Sequence, residues 1–232
     1  MPFKREYYPS DALKILNRSE GRAGISGQLA HAIKRHLRNS ATGGQHTGVS
    51  KEVFARRWEA NPIDEDGNYR VNSGWLGKGD MALLLCQLLN SECGGFGLEA
   101  LDRGVQRVTV RHYFRDATDF FGNQLTGAVA ELRVSANAPT LVYHDNHPNN
   151  PLRGQIRSIT INPPTYKGVI RMKDVMGAVA VLDNLGGELH LQTFYPLFAS
   201  SGPACAEYQQ GGVATTVFPR ADGSPWTVVR IV

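Results

Sequence analysis

Cysteine occurs only three times in the 232 residues, as Cys86, Cys93 and Cys205. So few, and an odd number, exclude a complete disulfide framework. The longest apolar run, MALLLCQLL at 81–89, falls short of the roughly 18 residues that a membrane helix needs, so no membrane span is expected. The opening MPFKREYYPSD lacks the hydrophobic stretch of a signal peptide, and any export is expected to use another route. Paired carboxylates, a P-loop, a Cys-x-x-Cys pair and a Gly-x-Ser-x-Gly elbow are all missing, which removes the chemistries that those motifs carry. The seven histidines form no metal-like cluster with Cys or Glu. Their nearest approach, His144 and His147 in HDNHP, has His-x2-His spacing inside a turn-rich stretch and reads as a surface loop, so neither metal nor cofactor is expected. No linker, repeat or low-complexity tract divides the chain, which predicts one domain over 1–232.

Charge is present in blocks. Residues 1–60 carry 11 Lys/Arg against 5 acids and 105–173 carry 9 against 4, whereas 61–104 and 174–232 are acidic, with 3 against 7 and 2 against 5. Two separated basic segments suit a phosphate-bearing ligand if folding brings them onto one face.

The first 104 residues read as helical. SDALKILNR offers Ser10 or Asp11 as an N-cap. GISGQLAHAIKRHLRN repeats apolar residues at Ile25, Leu29, Ile33 and Leu37, which predicts a helix over 24–39. SKEVFARRW predicts a short helix, GDMALLLCQLLN a buried one, and LEALDRG another that stops at Gly104. From 105 onward the pattern alternates: VQRVTVRHYF, AVAELRVS, PTLVYH, GQIRSITIN and GELHLQTFY read as strands, GVATTVFP and PWTVVRIV as edge strands. MKDVMGAVAVLDNLGG reads as the one helical interruption. Helices first and strands later predict an α+β domain, with the N-terminal helices packed on one face of a C-terminal antiparallel sheet.

Within this frame, alternation places Thr193 and Tyr195 on the same face of their strand, and Pro196 is expected to stop the ladder. On a helical wheel His36 borders the apolar stripe and His31 lies opposite, toward solvent. The wheel on SKEVFARRW turns Arg57 to the apolar side, where a guanidinium needs an anion or a carbonyl cluster. In RVTVRHYFRD, Arg111 and Arg115 fall on one face and His112 on the other, with substrate-phosphate contact as their candidate role.

HAIKRHL, VFARRW, NSGWLGKGDMALLLCQLLN and the late TFYP, taken in that order over about 170 residues, resemble the ribonuclease A-like toxin domains at the C-termini of bacterial contact-dependent inhibition and other polymorphic toxins. The resemblance implies a metal-independent ribonuclease delivered into competitor bacteria, with His36, Arg57, Thr193 and Tyr195 as its catalytic residues. It also implies an RNA substrate, tRNA among the candidates, and a cognate immunity protein, expected to be acidic. Residues 113–153 read as an insertion, and TTVFP, with Thr216 and Phe218, is a second candidate for the closing motif that lacks the phenol.

These residue types suit RNA cleavage by its own 2′-OH. A base near neutral pH is a histidine's role, arginine offers a planar fork to phosphate, and hydroxyls donate to the non-bridging oxygens. A second acid for the leaving 5′-oxygen is not fixed by the sequence; Tyr195, His46 and His112 are the candidates. Two other classes remain open: an ADP-ribosyltransferase or NAD-glycohydrolase toxin using Glu188, and a non-catalytic RNA- or protein-binding domain.

Overall fold

The computed structural model describes residues 2–37, 72–119, 121–135, 140–144, 147–160, 165–199, 202–219 and 227–231. It is an α+β structure in which the helices precede most of the strands and cover one face of the larger sheet. Helix α1 (Pro9–Ser19) starts at Pro9, whose fixed φ and missing N–H suit a first turn, and the Asp11 carboxylate accepts the Tyr8 N–H at 3.1 Å. Tyr8 is thus the N-cap, two or three residues earlier than the sequence suggested. A short α2 (Ala32–His36) and strand β1 (Asn72–Trp75) follow, then α3 (Lys78–Asn90) and α4 (Glu92–Asp102). Ser91 caps α4 by accepting the Gly94 N–H at 3.1 Å, and Gly104, at φ +94, closes it as expected.

The remaining strands are β2 (Arg107–Tyr113), β3 (Thr126–Ser135), β4 (Thr140–Tyr143), β5 (Ile156–Thr160), β6 (Thr165–Asp174), β7 (Gly177–Leu185), β8 (Glu188–Leu197), β9 (Cys205–Gln210), β10 (Val213–Phe218) and β11 (Thr227–Ile231). They form three antiparallel sheets: six strands in the order β11-β10-β9-β2-β7-β8, three in the order β1-β3-β6, and the pair β4-β5.

The core lies between the helices and one face of the six-stranded sheet. Leu84, Leu85, Leu88 and Leu89 of α3 and Leu98 and Leu101 of α4 meet Val108, Val110, Ala178, Ala180, Leu182, Leu191 and Phe194. Each such leucine contributes about 1.5–3 kcal/mol by leaving water. Helix α4 comes close because Gly97 has no side chain; a Cβ there would stand 2.8 Å from Val110 Cγ2. Among the described residues no single helix is long and apolar enough to cross a membrane.

Three sequence expectations are corrected. The segment 172–187 is not helical: it is the end of β6 and then β7, after which Gly186 and Gly187, at φ +64 and +90, turn into β8. Strand β7 is central, with Ala178, Val179 and Ala180 all buried, so it reads as a continuous apolar run instead of an alternation. Residues 24–30 are not helical either. Gly27 takes φ +75, the Gly27 N–H bonds Gly24 O, and Ala23 pairs with Leu29 in an antiparallel bridge, leaving Leu29 exposed. Finally, Pro196 does not end its strand but pairs with Ala178 inside β8, an edge strand where a missing N–H is tolerated. The helix expected over 50–58 lies outside the described residues.

Candidate functional site

Register decides which side chains share the sheet face turned away from the helices. Phe194, fully buried, points into the core, so Thr193 and Tyr195 point the other way. Tyr195 lies opposite Val179, Val179 opposite Arg111, and Arg111 opposite Cys205. The neighbouring row runs Thr193, Val181, Thr109, Glu207, Thr216. Thr193 and Tyr195 of β8, Arg111 of β2, and Cys205 and Glu207 of β9 therefore meet on one surface, although up to 96 positions separate them in sequence.

His36 reaches this surface from beyond the sheet edge. Helix α2 lies along β8, and β1 holds it there: Leu37 pairs with Trp75 in a parallel bridge, and Trp75 stacks on Phe194 at 4.8 Å while donating its indole N–H to Phe194 O at 3.1 Å. The His36 Nδ1 then lies 2.9 Å from Ser73 O. A carbonyl can only accept, so Nδ1 carries the hydrogen and the lone pair of the neutral ring falls on Nε2. The ring centroid of His36 is 5.4 Å from that of Tyr195. His31 does not face away: its ring lies 6.0 Å from that of His36, because α2 begins only at Ala32 and the helical wheel never applied to His31.

Among the described residues, the polar atoms buried on this face without a hydrogen-bond partner include Thr193 Oγ1 and Arg111 Nε. Arg111 makes no ion pair with any of the described residues; its Nη1 lies 4.0 Å from the Cys205 sulfur. Burial raises the Tyr195 phenol above its ordinary pKa against the opposing charge of Arg111, so the hydroxyl stays a donor at neutral pH. Burial likewise pushes the Cys205 thiol up to about 11, so it stays protonated at neutral pH. Beside these residues runs a groove of about 760 Å³, whose lining includes Ile25, Arg107, Thr109, Glu207, Gln209 and Thr216. Arg107 is committed elsewhere: its Nε and Nη2 hold both oxygens of the fully buried Asp183 at 2.6 and 2.9 Å.

Of the residues singled out from sequence, His36, Thr193, Tyr195 and Arg111 come together here. Arg57 and His46 lie outside the described residues. His112 sits on the helix-covered face, its ring edge-on to Phe114 at 5.1 Å and its pKa lowered by burial, so the sheet separates it from Arg111. Arg115 lies past the end of β2 and is exposed. Thr216 ends up in the groove, while Glu188 is held by Arg18 and Arg22 at 3.2 and 3.0 Å. Among the described residues no three His, Cys, Asp or Glu side chains converge as metal ligands. Sequence reasoning missed Glu207 and Cys205; the signal was the pair of short runs CAEYQQ and VATTVF around Gly211-Gly212, a hairpin signature.

Neither a protein-family description, nor a curated protein, nor a solved structure matches this chain.

Proposed function

We propose that the chain is a metal-independent endoribonuclease of the toxin type, cleaving RNA through attack of the 2′-OH on the adjacent phosphorus. One observation carries the reading: a histidine ring packed beside a tyrosine, on the same face as a buried threonine hydroxyl and an arginine Nε that have no partner of their own. Unsatisfied buried donors of this kind cost stability and suit an anionic group that accepts from them. A phosphodiester fits: Arg111 meets the non-bridging oxygens, Thr193 and Tyr195 donate to the charge that develops on them, and His36 moves a proton through Nε2. The pairing of Glu188 with Arg18 and Arg22 counts against the NAD-cleaving alternative, which needs that carboxylate free.

As a toxin delivered into competitor bacteria, the protein would require an immunity partner in the producing cell. The partner expected is an acidic protein whose carboxylates take the place of phosphate at Arg111.

The test is incubation of the protein with total RNA, and separately with NAD⁺, in EDTA. RNA fragments ending in 2′,3′-cyclic phosphate are expected. Cleavage that stops in EDTA and returns with Mg²⁺ or Zn²⁺ refutes metal independence, and loss of NAD⁺ with intact RNA refutes the reading as a whole.

A further inference from the structure

A single histidine cannot both accept the 2′-OH proton and protonate the leaving 5′-oxygen in one in-line displacement, because the two oxygens lie on opposite sides of phosphorus. Tyr195 packs against His36 and so stands on the same side. His112 is behind the sheet. What the far side offers is Glu207.

Glu207 lies on β9 in the row that runs through Thr109 and Val181 to Thr193, so it faces the same surface. Three strand spacings of about 4.8 Å separate the β8 and β9 backbones, with Arg111 on an intervening strand. The Cys205 thiol donates to Glu207 Oε1 at 3.7 Å and accepts from Arg111 Nη1 at 4.0 Å, while Glu207 and Arg111 form no ion pair with each other. Unlike Asp183, which Arg107 neutralises, Glu207 makes no salt bridge with any of the described residues. It also lines the groove of about 760 Å³, which gives the nucleoside bearing the attacking hydroxyl somewhere to lie.

We infer that Glu207 is the base of this site and His36 the acid, an inference that rests on the ribonuclease reading. The Glu207 carboxylate takes the 2′-OH proton as the 2′-oxygen bonds to phosphorus. The bond from phosphorus to the 5′-oxygen breaks, and the His36 imidazolium gives that oxygen its Nε2 proton. The products are a 2′,3′-cyclic phosphate and a 5′-hydroxyl, leaving Glu207 protonated and His36 neutral. When water opens the cyclic phosphate the roles reverse: His36 takes the water proton and Glu207 returns its own to the 2′-oxygen.

Two substrates separate base from acid. Wild type, Glu207→Gln, Glu207→Asp and His36→Ala are assayed on a single-stranded RNA oligonucleotide and on a mixture of the four nucleoside 3′-(4-nitrophenyl phosphates), whose leaving group needs no proton. Glu207→Gln is expected to lose about 10²–10⁴-fold on both substrates, the usual contribution of a general base. Glu207→Asp is expected to recover part of that loss, and His36→Ala to lose activity on RNA but approach wild type on the nitrophenyl esters. Unchanged urea midpoints for the Glu207 variants exclude misfolding as the cause. The assignment is overturned if Glu207→Gln keeps wild-type rates, or if Glu207→Gln is the variant that the nitrophenyl esters rescue. Wild-type protein that cleaves neither substrate rejects the ribonuclease reading and this assignment with it.

Discussion

Arg107 and Arg111 stand four residues apart on the same face of β2, and replacing each by methionine should have opposite consequences. Methionine keeps an apolar stem in place and removes only the guanidinium. At Arg107 that leaves Asp183, 0% exposed, with the Ile25 N–H at 3.1 Å as its remaining hydrogen-bond partner. Breaking a buried pair costs about 3–5 kcal/mol, and because the Arg107 side chain is 32% exposed the lower end applies. For a chain of this length about 3 kcal/mol lowers the melting temperature by roughly 6–12 °C. Among the described residues Arg111 has no carboxylate to strand. Its Nε is a buried donor without a partner, a burden of about 1–3 kcal/mol that the substitution removes. Arg111→Met should therefore match or exceed wild-type stability while losing about 10²–10³-fold in RNA cleavage, the value of one donor to a developing oxyanion. Urea unfolding followed through the buried Trp75, beside initial rates on an oligonucleotide, measures both quantities. Equal destabilisation by the two substitutions would make Arg111 structural and remove the cation from the proposed mechanism.

Trp75→Phe keeps a ring against Phe194 but deletes the N–H that bonds Phe194 O; it should cost about 1 kcal/mol by urea midpoint, whereas Trp75→Ala should cost about 3–5 kcal/mol and abolish cleavage by releasing the α2 anchor of His36. Thr193→Val removes an unpartnered hydroxyl at constant shape, so cleavage should fall roughly 10²-fold with stability unchanged or raised. His190, 1% exposed, has no hydrogen bond on either ring nitrogen; the Gln192 amide is beside it without bonding geometry, and Asp183, Arg22 and Glu188 are the charges around it. Burial holds its pKa below the ordinary range, so the unfolded chain takes up the proton first: stability is whole above about pH 6.5 and falls as the pH drops below that value. His190→Gln should flatten part of this decline, read as the difference in urea midpoint between pH 7.5 and 5.5; an unchanged slope would show that the ring does not titrate there.

Much of the site's local geometry was legible because alternation is a two-residue rule. It put Thr193 beside Tyr195, and Arg111 across the strand from His112, without knowledge of any partner strand. What it could not supply is strand order. Arg111 meets Tyr195 only because β7 lies between them and presents Val179 at the matching position, and β7 was read as a helix because both of its faces are covered. The four-residue spacing of Ile25 and Leu29 misled in the opposite sense. Two glycines, Gly24 and Gly27, outweighed it, and the hairpin they make exposes Leu29. The His31 error follows directly, since a wheel projected through 24–39 includes residues that are not on a helix.

The distribution of unsatisfied polar atoms bears on what the second face of the sheet is for. Among the described residues, every buried side-chain nitrogen or oxygen without a partner belongs to Arg111, His190, Gln192 or Thr193. All four are residues of β2 and β8. The helix-covered face of the same strands, with Val108, Val110, Leu191 and Phe194, has none and is packed with hydrocarbon. Apolar side chains of similar volume at these positions would have lowered the desolvation cost. A chain that keeps a hydroxyl, a guanidinium and an imidazole there instead carries a stability penalty confined to one surface, which is the pattern expected where polar groups are held ready for a ligand and not for the fold. In the proposed function that ligand is a strand of RNA, which accepts hydrogen bonds from Arg111 and Thr193 and reaches as far as Glu207.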